Sequence, residues 1–192
     1  MPSLAYDLAL LQGGIPELQA YLLSNEIYWS LSLVTPPGER PYPKMTLGWL
    51  LLAQARAGGW VSHAPLSPPA HQFAIFRQQL AVTRTQWLTA WKKKASQEFS
   101  ARLKLWTQYL NEYRVDKLNA HQYSYEVQRR VLLQLLQPEA EQLAQAELDL
   151  LHGLDTFLQA VLKPGAFVWE PELAPAFPPE TYWYLYGTLP EK

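Results

Sequence analysis

Between Ala70 and Gln137 the chain carries neither proline nor glycine, and its apolar residues recur there at helical spacing. Phe73, Phe76, Leu80, Trp87, Trp91, Ala95, Phe99, Leu103, Trp106, Leu110 and Tyr113 follow one another at gaps that are almost all three, four or seven. That periodicity predicts an amphipathic helix from about Ala70 to Val115. At 100° per residue the stripe drifts by roughly 90° between Phe73 and Leu110. The helix must therefore kink, near Ala95-Ser96, or twist gradually around its partners. Polar residues gather at Asp116–His121, the expected break, where Asn119 and Gln122 suit a capping box. A second stripe, Tyr123, Val127, Val131 and Leu135, follows it. Pro138 then suits the first position of a third helix, whose seam runs Leu143, Ala146, Leu150, Leu154, Phe157 and Val161 to a stop at Lys163-Pro164-Gly165.

The first seventy residues are cut by Gly13-Gly14, Pro16, Thr35-Pro36-Pro37-Gly38, Pro41, Pro43, Gly58-Gly59, Pro65 and Pro68-Pro69. Only short helices fit between these breaks: Ser3–Gln12, Pro16–Ser24, and Thr46–Ala57 with Thr46 as N-cap and Gly58 as stop. For Ile27–Val34 the pattern allows either an extended strand or a prolonged second helix. Residues 164–192 mix proline with Phe167, Trp169, Phe177, Tyr182, Trp183, Tyr184 and Tyr186, too apolar for a solvated linker. An irregular wrap across the bundle is expected. No solenoid period occurs; the pattern E-x-Y-W-x-L at Glu26–Leu31 and Glu180–Leu185 is a chance match in an aromatic-rich chain.

The predicted fold class is all-α: an irregular antiparallel helical bundle with one long central helix and an aromatic, Pro-rich C-terminal wrap. Residues 1–192 read as one helical domain, with short helices and loops over 1–70, the long-helix bundle over 71–163 and the tail over 164–192. Eight Trp, eleven Tyr and six Phe supply its core, each ring burying on the order of 150–250 Å².

Composition removes several functions. The chain has no cysteine, so disulfides, thiol catalysis and Cys-ligated metals are excluded. Met1–Gly14 carries Asp7 and no basic residue, which does not match a signal peptide. The most apolar run, Met45 to Ala57, is too short for roughly 30 Å of hydrocarbon and reads as a buried core helix. No membrane association is expected, and the cytoplasm is the expected compartment.

Charge is unevenly placed. Residues 71–117 hold nine Lys/Arg against three Asp/Glu, while residues 139–192 hold two against nine. A basic helix lying beside an acidic one is the simplest use of that asymmetry. Nucleic-acid binding is not expected, because Lys92-Lys93-Lys94 spread over about 200° of a helix and cannot form a backbone-tracking stripe. Asp149, His152 and Asp155 have metal-like spacing but no second motif, so they read as a solvated face, and no metal or cofactor is expected. No catalytic or phosphate-binding fingerprint occurs.

One constellation stands out. Arg77, Arg84 and Trp91 are spaced by seven and share a helix face, with Trp87 close by. Charges on an apolar stripe need partners, and Glu147, inside the seam between Leu143 and Leu150, is the nominated carboxylate. The structural reading is an Arg–Glu pair inside the bundle. The functional reading is an anion- or carboxylate-binding pocket made of Arg77, Arg84, Trp87, Trp91 and Glu147, in a small-molecule-binding protein or an enzyme. With no catalytic motif, the favoured function is a non-catalytic helical protein–protein interaction or adaptor module, including homo-oligomerisation through the part of the long helix that bears Trp106.

Overall fold

Capping chemistry sets the helix starts in the computed structural model, which describes residues 2–117 and 119–191. Ser3, Thr46 and Ser67 each accept a backbone N–H three residues on, opening α1 (Leu4–Leu23), α2 (Leu47–Ser62) and α3 (Pro68–Gln86). Then come α4 (Leu88–Asp116), α5 (Tyr123–Glu126), α6 (Gln128–Leu136), α7 (Gln145–Val161) and α8 (Pro179–Tyr182), with short 3-10 turns between several of them. Strands β1 (Lys163–Pro164) and β2 (Gly187–Thr188) pair antiparallel and close the tail into a loop. The protein is all-α apart from these two strands.

Two predicted stops are absent. α1 passes through Gly13, Gly14 and Pro16 as one helix. Gly14 serves packing: a Cβ there would come within 2.7 Å of Leu50 Cδ2 and 2.9 Å of Met45 Sδ. Gln12, whose carbonyl loses its partner to Pro16, is exposed to water. Likewise α2 continues past Gly58-Gly59 because a Cβ on Gly59 would lie 3.3 Å from the backbone of Leu173, in the 3-10 turn Pro171–Ala176. Glycine marks close approach in both places.

The long apolar stripe is buried as predicted, with only Trp87 half-exposed. Its break lies at Trp87 (φ −115°, ψ 34°), not at Ala95-Ser96, which sits inside unbroken α4. The corner lets Phe73, Phe76 and Leu80 of α3 and the Trp91–Tyr113 face of α4 reach one core, resolving the drift of the stripe. α4 ends at Lys117, in the left-handed region (φ 60°). The expected capping box fails there, because Asn119 donates to the Tyr109 carbonyl instead.

α2, apolar nearly all round, is enclosed by α1, α3, α4, α6 and the Pro171–Ala176 turn. Residues 27–34 are not helical; Trp29 and Met45 exchange backbone hydrogen bonds and tie the 25–46 segment to itself. The tail lies on the bundle, with Trp169, Leu173, Phe177, Tyr184 and Leu185 buried. Tyr123 donates to the Tyr184 carbonyl and Tyr113 to that of Pro190, anchoring it.

Candidate functional site

The predicted Arg–Trp–Glu constellation is partly assembled, around a different carboxylate. Arg84 Nε donates to Glu139 Oε2 at 2.6 Å, and Trp91 Nε1 donates to the same oxygen at 2.8 Å. Glu147 is not in this group. It stands in the first turn of α7, where its carboxylate accepts the Ala144 N–H. The cause is a shift of helix start: Gln137–Glu139 wraps as a 3-10 turn, residues leading into Gln145 are extended, and α7 begins seven residues after Pro138. Its buried face is Leu151, Leu154 and Leu158, while Leu150 is 44% exposed. Arg77 is exposed and lines an open groove of about 510 Å³ with Phe73, Gln134, Glu139 and Tyr182. Trp87 forms the corner between α3 and α4. Of the five, Arg84 and Trp91 meet at Glu139, and Arg77 lines the groove.

Two polar clusters also differ from the sequence reading. Asp155 is not merely solvated: both its oxygens accept from Arg130 at 2.8 Å, and that guanidinium lies 4.7 Å from the Tyr184 ring centroid. Lys94 is buried, over the Tyr21 ring, and donates to Ser24 Oγ and the Glu26 carbonyl beyond the C-terminus of α1. Desolvation lowers its pKa. A third cluster centres on Glu98, which caps the start of α2 from α4. It accepts from Thr46 Oγ1 at 2.5 Å, from the Gly48 N–H at 2.7 Å and from Arg102. All three clusters tie separate elements together.

The fourth cluster differs because it borders a cavity. Asp7 of α1 and Arg56 of α2 are both 0% exposed. Arg56 donates from Nε to Oδ2 at 3.0 Å and from Nη2 to Oδ1 at 2.5 Å. Its remaining nitrogen, Nη1, has no hydrogen-bond partner among the described residues. Burial pushes the Asp7 carboxyl up to about 6, against the pull of Arg56 in the other direction. The two side chains face each other as a two-pronged pair inside the bundle.

Arg56 lines a cleft of about 840 Å³, along with Tyr6, Trp49, Tyr125, Gln128 and Trp169. The rim adds Glu39, Arg40, Pro41 and Pro43 from the 25–46 segment, and Val168 and Glu170 from the tail. Each wall is held. Tyr6 stacks on Tyr42 at 4.2 Å, and Tyr42 Oη donates to the Tyr6 carbonyl. Glu39 accepts the Ser3 N–H, which draws the segment onto the start of α1. Arg40 lies 5.7 Å over the Tyr125 ring, spanning the mouth from loop to α5. Trp169 Nε1 donates to the Ser124 carbonyl and its ring meets Phe177 edge-on.

The cleft offers flat aromatic faces and a few polar groups. Burial, with Tyr42 beside it, pushes the Tyr6 phenol up to about 12, so it stays protonated. Gln128 is 8% exposed and its side chain makes no hydrogen bond among the described residues. Among those residues no group of His, Asp and Glu has the arrangement of a metal site. No helix of the described residues is long and apolar enough to cross a membrane.

Sequence reasoning missed this cleft. Its walls come from five separated segments, which no spacing rule connects. One signal was legible: Asp7 is the lone charge of the apolar run Ser3–Gln12 and Arg56 that of Thr46–Ala57, and a lone charge on an apolar helix needs an opposite one. No protein-family model, curated protein or solved structure matches the chain.

Proposed function

We propose that this protein is a non-catalytic binding protein whose small-molecule ligand sits in the cleft above Arg56. The observation that carries the reading is a cleft of about 840 Å³ whose aromatic walls, Tyr6, Trp49, Tyr125 and Trp169, come from separate elements. The volume falls within the range of roughly 300–1,000 Å³ common to ligand pockets, and aromatic walls with few polar groups have their usual composition. Ser124, the cleft's aliphatic hydroxyl, has no hydrogen-bonded base among the described residues, which favours binding over acyl or glycosyl chemistry. The cytoplasm is the proposed location, since nothing in the chain depends on oxidised cysteine.

A fragment screen followed by protein NMR tests the reading. Hits are expected to perturb the indole signals of Trp49 and Trp169 and to be weakened by Tyr125→Ala, an exposed ring whose loss leaves the core intact. Hits gathered at the Arg77 groove, or scattered over the surface, count against it.

The adaptor reading has one observation of its own. Ile75 and Val82, on one face of α3, are 56% and 57% exposed, with Ala74, Gln78 and Ala81 around them also exposed. A second copy of the chain is the partner proposed for that face. Trp106 cannot serve in this role, because it is 0% exposed in the core.

A further inference from the structure

We infer that residues 34–41 form a flap that gates the cleft, parting between Arg40 and Tyr125 to pass a ligand and closing over it afterwards. This rests on the cleft being a ligand site, and it concerns how a ligand enters and leaves.

The flap is the tip of the 25–46 segment, and its roots are fixed. Trp29 and Met45 exchange backbone hydrogen bonds at 2.9 and 2.7 Å. Leu33 packs on the bare backbone of α1 at Gly13, where an added Cβ would collide with it. Tyr42 stacks on Tyr6 at 4.2 Å and donates to its carbonyl.

Between Leu33 and Tyr42 the chain is built to move as one piece. Pro36, Pro37 and Pro41 each hold φ near about −65°. The Glu39 N–H closes a turn on the Pro36 carbonyl at 3.1 Å. Pro37 and Gly38 are its central residues, and Gly38 supplies the positive φ, 81°, that suits the second of them. A unit this stiff swings about its ends and does not crumple.

Its hold on the bundle is slight by comparison. Val34 is 92% exposed, and Pro37, Gly38, Arg40 and Pro41 are exposed as well. Among the described residues two polar contacts tie the tip down, one on each side. Glu39 accepts the Ser3 N–H at 2.9 Å at the start of α1, and Arg40 lies 5.7 Å over the Tyr125 ring of α5. Gly38, Glu39, Arg40 and Pro41 line the cleft from one side and Tyr125 from another. The Arg40–Tyr125 contact therefore crosses the opening, and parting it widens the mouth while the core stays packed. An exposed cation–π contact and a single hydrogen bond are weak beside buried packing, so this is where the cleft gives way first. Hinged covers of this kind shield a bound ligand from water and set how fast it leaves.

Two neutral probes of different size, benzyl alcohol and quinoline, are titrated into the full chain at pH 7.5, and their exchange is read from the line shapes of the Trp49 and Trp169 indole resonances. Arg40→Ala is expected to raise association and dissociation rates together by about two- to fivefold, the factor that an exposed cation–π contact represents, and to leave Kd unchanged. Glu39→Ala, which frees the other side, is expected to act alike. The factor is expected to be the same for both probes, because the flap and not the ring sets it. The chain has no cysteine, so Arg40→Cys with Tyr125→Cys gives a single pair of thiols for a short bismaleimide. Closing that bridge is expected to slow exchange at least tenfold relative to the same variant before reaction. Exchange unchanged by the bridge overturns the inference and puts the entrance elsewhere, with the cleft still a ligand site. A weaker Kd at an unchanged association rate in Arg40→Ala also overturns it, making Arg40 a ligand contact. If neither probe perturbs either indole, both the inference and the reading beneath it fall.

Discussion

At the scale of single residues, Asp7 and Arg56 are sensitive to substitution, because both are fully buried and each is paired with the other. Breaking a buried pair from one side costs about 3–5 kcal/mol, whereas replacing both members with apolar residues of similar size is often neutral. Asp7→Leu is therefore expected to lower the urea midpoint strongly and Asp7→Leu with Arg56→Met to recover most of it. The pair also has a pH signature. The Asp7 carboxyl is raised to about 6 in the folded chain, above its value when unfolded, so the native state holds the proton more tightly. Its contribution to stability is greatest below about pH 4 and is lost as pH rises through about 6. The wild type is expected to gain thermal stability relative to the double variant as pH falls from 7 to 5; parallel curves would show that Asp7 does not titrate in that window. Glu126 is raised by burial in the same direction, but it is common to both proteins and cancels in the comparison.

At the scale of elements, the glycines separate into two kinds. Gly59 lies under the Pro171–Ala176 turn, where a Cβ would approach the backbone of Leu173 to 3.3 Å, and a backbone contact cannot swing aside. Gly153, inside α7, is open: a Cβ added there would meet nothing within 4 Å. Gly59→Leu is expected to destabilise by about 1–3 kcal/mol through overpacking. Gly153→Ala is expected to stabilise by about 0.8–1 kcal/mol through helix propensity alone. Urea midpoints of the two variants check both signs, and a neutral Gly59→Leu would mean that the turn is held away from α2 in solution. The same contrast explains why α1 and α2 outlast their predicted stops. A glycine pair signals a terminus only when the chain must turn there, and these helices continue because a neighbour presses against the bare backbone.

At the scale of the whole molecule, two surfaces compete for the functional role: the cleft above Arg56 and the outward face of α3. They are separable. Ile75→Glu together with Val82→Glu places two charges on the helix face without touching the cleft, and on the ligand-binding reading it changes neither molecular mass in solution nor affinity for the probes. A fall from dimer to monomer mass would assign the α3 face to self-association. The oppositely charged segments do not settle the choice, because Arg84 of the basic segment pairs with Glu139 of the acidic one inside the chain. Lys94 also leaves the basic surface by burying itself at the end of α1, which supports a ligand other than nucleic acid.

Periodicity and cap chemistry determined the all-α class, the buried stripe from Phe73 to Tyr113, the cap at Thr46 and the break after Asp116, because helical period and N-cap chemistry are local properties of the backbone. The position of the corner at Trp87, the start of α7 and the choice of Glu139 over Glu147 were decided only when helices packed, since a shift of one or two residues in a terminus rotates every side chain beyond it by about 100° or more. The cleft lay furthest from reach. Tyr6, Arg56, Gln128 and Trp169 are brought together by the tail folding back across α2 and by the buried pairing of Asp7 with Arg56, and no rule of spacing along the chain encodes a meeting between segments that distant.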